Sequence, residues 1–178
     1  HEREYTMTII TLEDIQRHDE EGNKQTLYCP KKSEASFKLS KMTSLKRGTQ
    51  LERVIAEKIE HHTGYESNAL RGNQAWDITV NLDDNPVRVE VKSALYHSQA
   101  PTSYQMQNIK PKNFDYIFFV LVTPEDVIVK WTSVKDMKKV CKSRNRNANG
   151  FSVCINKNSI PDYLYDLEDF PYNPKDFA

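Results

Sequence analysis

The apolar positions of this chain change period as it proceeds, and the changes mark out its elements. Between Gly48 and Gly64, the residues Leu51, Val54, Ile55 and Ile59 recur three or four apart, the spacing of one face of an α-helix. Thr49 is placed to cap that helix, and Thr63 and Gly64 to end it. The period then shortens to two. Trp76 to Asn81 and Val87 to Lys92 both alternate apolar with polar residues, which predicts two strands. Between them Leu82-Asp83-Asp84-Asn85-Pro86 is a cluster of turn formers, so a β-hairpin is expected. A short helix near Tyr104 to Ile109 follows, then a strand buried on both faces at Tyr116 to Val122 and another at Val127 to Trp131. A helix around Val134 to Cys141, a polar loop from Ser143 to Gly150, a strand at Phe151 to Ile155 and an irregular proline-containing tail complete the series. Before Gly48 only Leu12 to His18 reads as helical.

A turn centred between Asp83 and Asp84 sets Ile78 opposite Val89, Val80 opposite Val87 and Trp76 opposite Val91, gathering the apolar side chains on one face. The same register puts Asp77 across from Glu90 on the other face, with Lys92 two residues along. Carboxylates so paired, with Cβ atoms about 4.5–5.5 Å apart, repel each other and need a cation beside them. Lys92 supplies one charge, and Mg²⁺, which prefers carboxylate oxygens, can supply the rest. Such an ion polarises a phosphate and lowers the pKa of a bound water, while a neighbouring lysine can orient the water or stabilise developing negative charge. Phosphodiester hydrolysis fits these residue types. The plainer alternative is an exposed, salt-bridged face of an amphipathic hairpin.

Composition narrows the classes. With 178 residues, 38% of them hydrophobic and 28% charged, the chain is expected to form one globular domain. No apolar run is long enough to cross a bilayer and the opening lacks the order of a signal peptide, so no membrane partner and a cytoplasmic location are expected. Cys29, Cys141 and Cys154 are widely spaced and odd in number, which argues for free thiols over a disulfide framework or a zinc or iron–sulfur site. A net charge of zero argues against indiscriminate coating of nucleic acid. Yet Lys31 to Arg47 holds six cations against Glu34, and Lys130 to Arg146 seven against Asp136. The two segments can form one phosphate-facing surface or two ordinary solvated faces.

An acidic residue on one strand, Glu90-Val91-Lys92 on the next, a helix before and an apolar strand after: from Gly48 to Trp131 the chain resembles the PD-(D/E)XK nuclease superfamily, which includes most Type II restriction endonucleases. Trp76 stands where the proline of the family's pattern would be. The resemblance implies an α/β, restriction-endonuclease-like fold with a mixed central β-sheet flanked by α-helices. The catalytic core would run from about residue 48 to 132 of a single domain, with the flanking segments serving DNA binding or dimerisation. It implies Asp77, Glu90 and Lys92 as catalytic residues, with Asp77, Glu90 and the Val91 backbone carbonyl on Mg²⁺, for which Mn²⁺ can substitute. The implied activity is hydrolysis of double-stranded DNA, in the form of a site-specific restriction endonuclease of a restriction-modification system. Alternatives are a Holliday-junction resolvase, a homing nuclease or another structure-specific DNA nuclease, and a non-catalytic DNA-binding module of the same fold.

Further candidates surround this centre. Glu52 lies at the margin of the helix's apolar face and is either a further metal ligand or the closing residue of a capping box begun by Thr49. Lys46, Arg47, Gln105, Gln107 and the loop Arg144-Asn145-Arg146-Asn147 are candidates for DNA contact, the loop for reading base edges. His61 and His62 are read as capping or surface residues, and His97, just past the hairpin, as a surface residue or one that faces the substrate. Cutting two antiparallel strands with one centre per chain suggests a homodimer. Phe37, Tyr163, Tyr165, Phe170 and Tyr172 are its candidate contacts, or else cover the edges of the core.

Overall fold

The computed structural model describes residues 10–18, 33–72, 74–140, 146–147 and 150–172. Among them the helices are α1 (Leu12–Arg17), α2 (Glu34–Lys41), α3 (Ser44–Thr63) and α4 (Val134–Val140). The strands are β1 (Ser67–Ala69), β2 (Ile78–Leu82), β3 (Asn85–Leu95), β4 (Ser103–Ile109), β5 (Tyr116–Val122), β6 (Val127–Ser133), β7 (Arg146–Asn147), β8 (Gly150–Asn156) and β9 (Tyr165–Asp166). A six-stranded sheet runs in the order β1-β2-β3-β5-β6-β9, and a second of three strands in the order β4-β8-β7. The large sheet is mixed: β3 and β5 are parallel and its other neighbours antiparallel.

Hydrophobic patterning explains how α3 lies on this sheet. Leu51, Val54, Ile55 and Ile59 are fully buried against Ile78, Val80, Val89, Phe118 and Val120, with α1 and α2 contributing Ile15 and Leu39. Burying each such side chain is worth about 1.5–3 kcal/mol. The helix begins earlier than its apolar period predicts. Thr43 caps it by accepting from the Lys46 N–H at 3.2 Å, whereas Thr49 sits inside it and donates its hydroxyl to the Leu45 carbonyl at 3.1 Å. Gly64, at φ 77°, ends it with an N–H bond to the Glu60 carbonyl.

The β2–β3 turn fits the sequence closely. Asp83 and Asp84 have φ of 46° and 65°, the left-handed pair of a two-residue hairpin turn that matches strand twist. Ile78 pairs with Val89 and Val80 with Val87, as the alternation requires. β5 is buried on both sides. Phe118, Val120 and Val122 meet the α3 layer, while Ile117, Phe119 and Leu121 meet a second layer built from Tyr104, Met106, Val153, Ile155 and Met137.

That second layer corrects the helix expected at Tyr104 to Ile109. The segment is strand β4, with Tyr104 and Met106 buried between the exposed Ser103, Gln105 and Gln107, and a register shift around Asn108, at φ 60°, carries Ile109 inward as well. The extra residue hides the period of two. The tail is more ordered than expected: β9 pairs with β6, and Tyr165 and Phe170 pack around Trp131 at centroid distances of 5.1 and 5.2 Å. Tyr165 and Phe170 are therefore interior residues and cannot be contacts between two chains. Tyr163 packs on the second layer, Phe37 is half-buried under Lys41, and Tyr172 stays exposed.

Where β4 and β8 meet, Gly150 has φ 121°, and a Cβ built there would lie 2.5 Å from the Ile109 carbonyl oxygen. Both strain and contact exclude a side chain. Gly150→Ala should lower stability by about 1–3 kcal/mol, seen as an earlier denaturant midpoint. A wild-type midpoint would contradict so close a backbone approach.

Candidate active site

The site arises from a mismatch of strand lengths. β3 has 11 residues and β2 only five, so beyond Val89 the longer strand continues beside β5 with no partner from β2. Asp77 stands at this fork, just before β2. Its N–H donates to the Val89 carbonyl at 3.0 Å and its carbonyl accepts from the Leu70 N–H at 2.8 Å. Its side chain does what the missing strand would have done: Oδ2 accepts from the Val91 N–H at 2.8 Å. In an extended strand the N–H and C=O of one residue point the same way, so the Val91 carbonyl also faces the opening.

The expected Trp76–Val91 pair is therefore absent, because the ladder ends at Ile78. Trp76 turns to the opposite face, where its Nε1–H donates to Thr79 Oγ1 at 2.9 Å and the Arg88 guanidinium lies 5.9 Å from its ring centroid. The ring is half-buried.

Glu52 reaches the fork from α3. Thr49 does not cap this helix, so the capping box is not formed and that role for Glu52 is excluded. Its carboxyl instead hydrogen-bonds with Asp77 and is pushed up to about 8, by burial first and then by the Asp77 charge, against a weaker opposing pull from Arg53 and Lys92. Glu90, on β3, is pushed up to about 9, again by burial first, then by its hydrogen bond to Asp77 and that residue's charge, with Lys92 opposing. Three carboxyls and one ammonium group thus come together in one half-buried place. Arg53, a cation next to Glu52 on α3, leaves no signal of this contact in sequence.

The donor set suits a hard divalent cation: carboxylate oxygens with a backbone carbonyl beside them, and a local excess of acidic groups over Lys92. Among the described residues, no three His, Cys, Asp or Glu side chains are already arranged as ligands around one point. Burial and the neighbouring Asp77 both favour the protonated forms of Glu52 and Glu90.

The other candidates are dispersed. Arg47 is buried, donating to the carbonyls of Leu39 and Met42 at 3.3 and 3.1 Å, so it ties α2 to α3 and is not free for DNA. Lys38 is buried as well, which breaks up the first basic segment. Lys46 is half-exposed in the first turn of α3, and Gln105 and Gln107 are exposed on β4. Arg144 and Asn145 lie outside the described residues, as do Lys31, Lys32, Cys29 and Cys141, while Arg146 and Asn147 form β7 at the edge of the small sheet. Cys154 is a free, exposed thiol. His61 is exposed, His62 bonds the Glu168 carbonyl, and His97 Nδ1 accepts from the Gln99 N–H at 3.2 Å, all away from the carboxyls' hydrogen bonds. No described helix is long and apolar enough to cross a membrane.

The raised carboxyls set a pH dependence. Unfolded glutamate titrates near 4.3, so between about pH 4.3 and 9 these two groups hold more protons in the native chain than in the unfolded one. Their contribution to stability is complete below that window and lost on rising through it. In chelator, the melting temperature should fall from pH 5 to pH 9, and Glu90→Gln, which keeps the neutral form, should flatten the fall. An equal slope in the variant would rule out Glu90 as a source.

No protein-family model matches the chain, and no curated protein matches it. Among solved structures, that of the bacterial homing endonuclease I-Ssp6803I is similar at a TM-score of 0.49 and 13% identity, over 68% of this chain and 87% of that one, a likeness too slight to assign a family or a function.

Proposed function

We propose that the chain is a metal-dependent deoxyribonuclease of the PD-(D/E)XK type, with a restriction-endonuclease-like fold, acting on double-stranded DNA. One observation carries the reading: Glu52, Asp77 and Glu90 meet beside Lys92 where β2 leaves β3, with two of the carboxyls held far above their ordinary range. Structural faces of a hairpin do not need three acids in one half-buried place, since mutual repulsion there costs stability.

In this reading Asp77, Glu90 and the Val91 carbonyl hold Mg²⁺ or Mn²⁺, with Glu52 as a further direct or water-mediated ligand. The bound ion supplies Lewis acidity toward a phosphate oxygen and a water of lowered pKa. Asp77 has a second task, since its bond to the Val91 N–H fixes the spacing of the two strands. Lys92 shares the face of Glu90 and stabilises negative charge developing on the phosphate, or takes part in orienting the attacking water. A site-specific Type II restriction endonuclease is the form we favour, because a junction resolvase would call for a more basic chain than one of zero net charge. Two strands of opposite polarity then call for two chains related by a twofold axis.

Incubation with plasmid and Mg²⁺ tests the reading. Discrete fragments are expected; cleavage confined to branched DNA would indicate a resolvase, and binding without cleavage a non-catalytic module. Lys92→Ala and Glu90→Ala should each lower cleavage by at least about 10²-fold while the chain still binds duplex DNA in Ca²⁺, which supports binding with little turnover. A variant cutting at the wild-type rate, or full activity in chelator, would remove the assignment. In sedimentation, the chain on its cognate duplex should run as a dimer, and a strict monomer making concerted double-strand breaks would refute the symmetry argument.

A further inference from the structure

The small sheet carries a second surface. Its inner face, formed by Tyr104, Met106, Val153 and Ile155, packs on Ile117, Phe119 and Leu121 of the large sheet, the face on which Glu90 and Lys92 also stand. β4 is the strand of the small sheet that packs beside β3, and only residues 96–102 connect the two. The small sheet therefore covers the same side of the large sheet as Glu90 and Lys92.

Its outer face has an unusual composition. Ser103 pairs with Asn156 and Gln105 with Cys154; Gln107 and Ser152 extend the same face. Ser103, Gln105, Gln107, Cys154 and Asn156 are exposed and Ser152 is half-exposed, and none of the six carries a formal charge in a chain that is 28% charged. Lys110 stands exposed just beyond β4. A face without carboxylates does not repel a polyanion, and one made of amides and hydroxyls offers paired donors and acceptors. Such groups recognise base edges, where glutamine makes two bonds to adenine.

Spacing supports the same occupant. Alternate residues of a strand stand about 6.8 Å apart, which is two base-pair steps of about 3.4 Å. The major groove, about 12 Å wide, admits two strands side by side. We infer that the outer face of β4 and β8 is the base-reading surface for the DNA cut at the carboxyl centre, with Gln105 and Gln107 as specificity-determining residues two base pairs apart. This rests on the nuclease reading above, and it moves the recognition element from residues 144–147 to the strands β4 and β8 of the small sheet.

The test is cleavage of a library of randomised duplexes in Mg²⁺, with the cut ends sequenced, for the wild type, Gln105→Ala and Gln105→Ala/Gln107→Ala. Both side chains are exposed, so the thermal midpoint should not move. The single variant should lose about 5- to 150-fold of the preference at one base pair, and the double variant should relax a second position two steps away. Unaltered preference in both variants, or a wild-type enzyme that cuts without preference, would overturn the inference and leave the nuclease reading standing. A wild-type chain that cuts nothing would end the nuclease reading instead. The sequences it binds in Ca²⁺ would then decide, and the same loss is required of them.

Discussion

Everything at the candidate centre depends on one hydrogen bond between a side chain and a strand. β3 outruns β2, and an unpaired strand edge in a half-buried place would leave its N–H groups without partners, which costs stability. The Asp77 carboxylate fills that gap at Val91. Because it does so, an acid is fixed at the point where two strands separate, and Glu52 and Glu90 are drawn to within hydrogen-bonding distance of it. The fold and the carboxyl cluster share this contact. A residue that only bound a cation could tolerate some freedom, but Asp77 is held by its backbone bonds to Leu70 and Val89 as well as by its side chain.

The carboxyl cluster is unstable by itself, and its neighbours moderate it unequally. Lys92 opposes the rise of both glutamates, while Arg53 acts on Glu52. Burial is the first cause for each, the Asp77 charge and hydrogen bond add to it, and together they favour the neutral acids. Such a cluster favours whatever brings compensating positive charge.

Where local pattern and tertiary demand agreed, the sequence was readable. The hairpin register followed from Ile78, Val80, Val87 and Val89, and β5 from its unbroken apolar run. Where a local irregularity intervened, it was not. Asn108 inserts one residue into β4, so Tyr104, Met106 and Ile109 lose strict alternation and read as a helical turn. The start of α3 was misplaced because its first turn, Ser44 to Arg47, carries no buried apolar residue; Leu45 is 83% exposed, and Arg47 is the residue that turns inward. Of the candidate site, Glu90 and Lys92 were legible as alternate residues of one strand and Asp77 as a residue across the turn from them, although it stands just before β2 and outside the ladder. Glu52 could not be decided from sequence, since its role turned on whether Thr49 or Thr43 caps the helix.

The strand order of the small sheet bears on how the chain matures during synthesis. Glu52 to Lys92, with the helix and hairpin that carry them, emerge as one short contiguous stretch. β8, however, is made late and takes the middle place between β4 and β7. Until it arrives, β4 has an open edge and Tyr104 and Met106 lack part of their cover, a state prone to association with other chains. A nascent chain halted before residue 150 would thus hold the helix and hairpin that carry the acidic cluster, with the small sheet still unfinished.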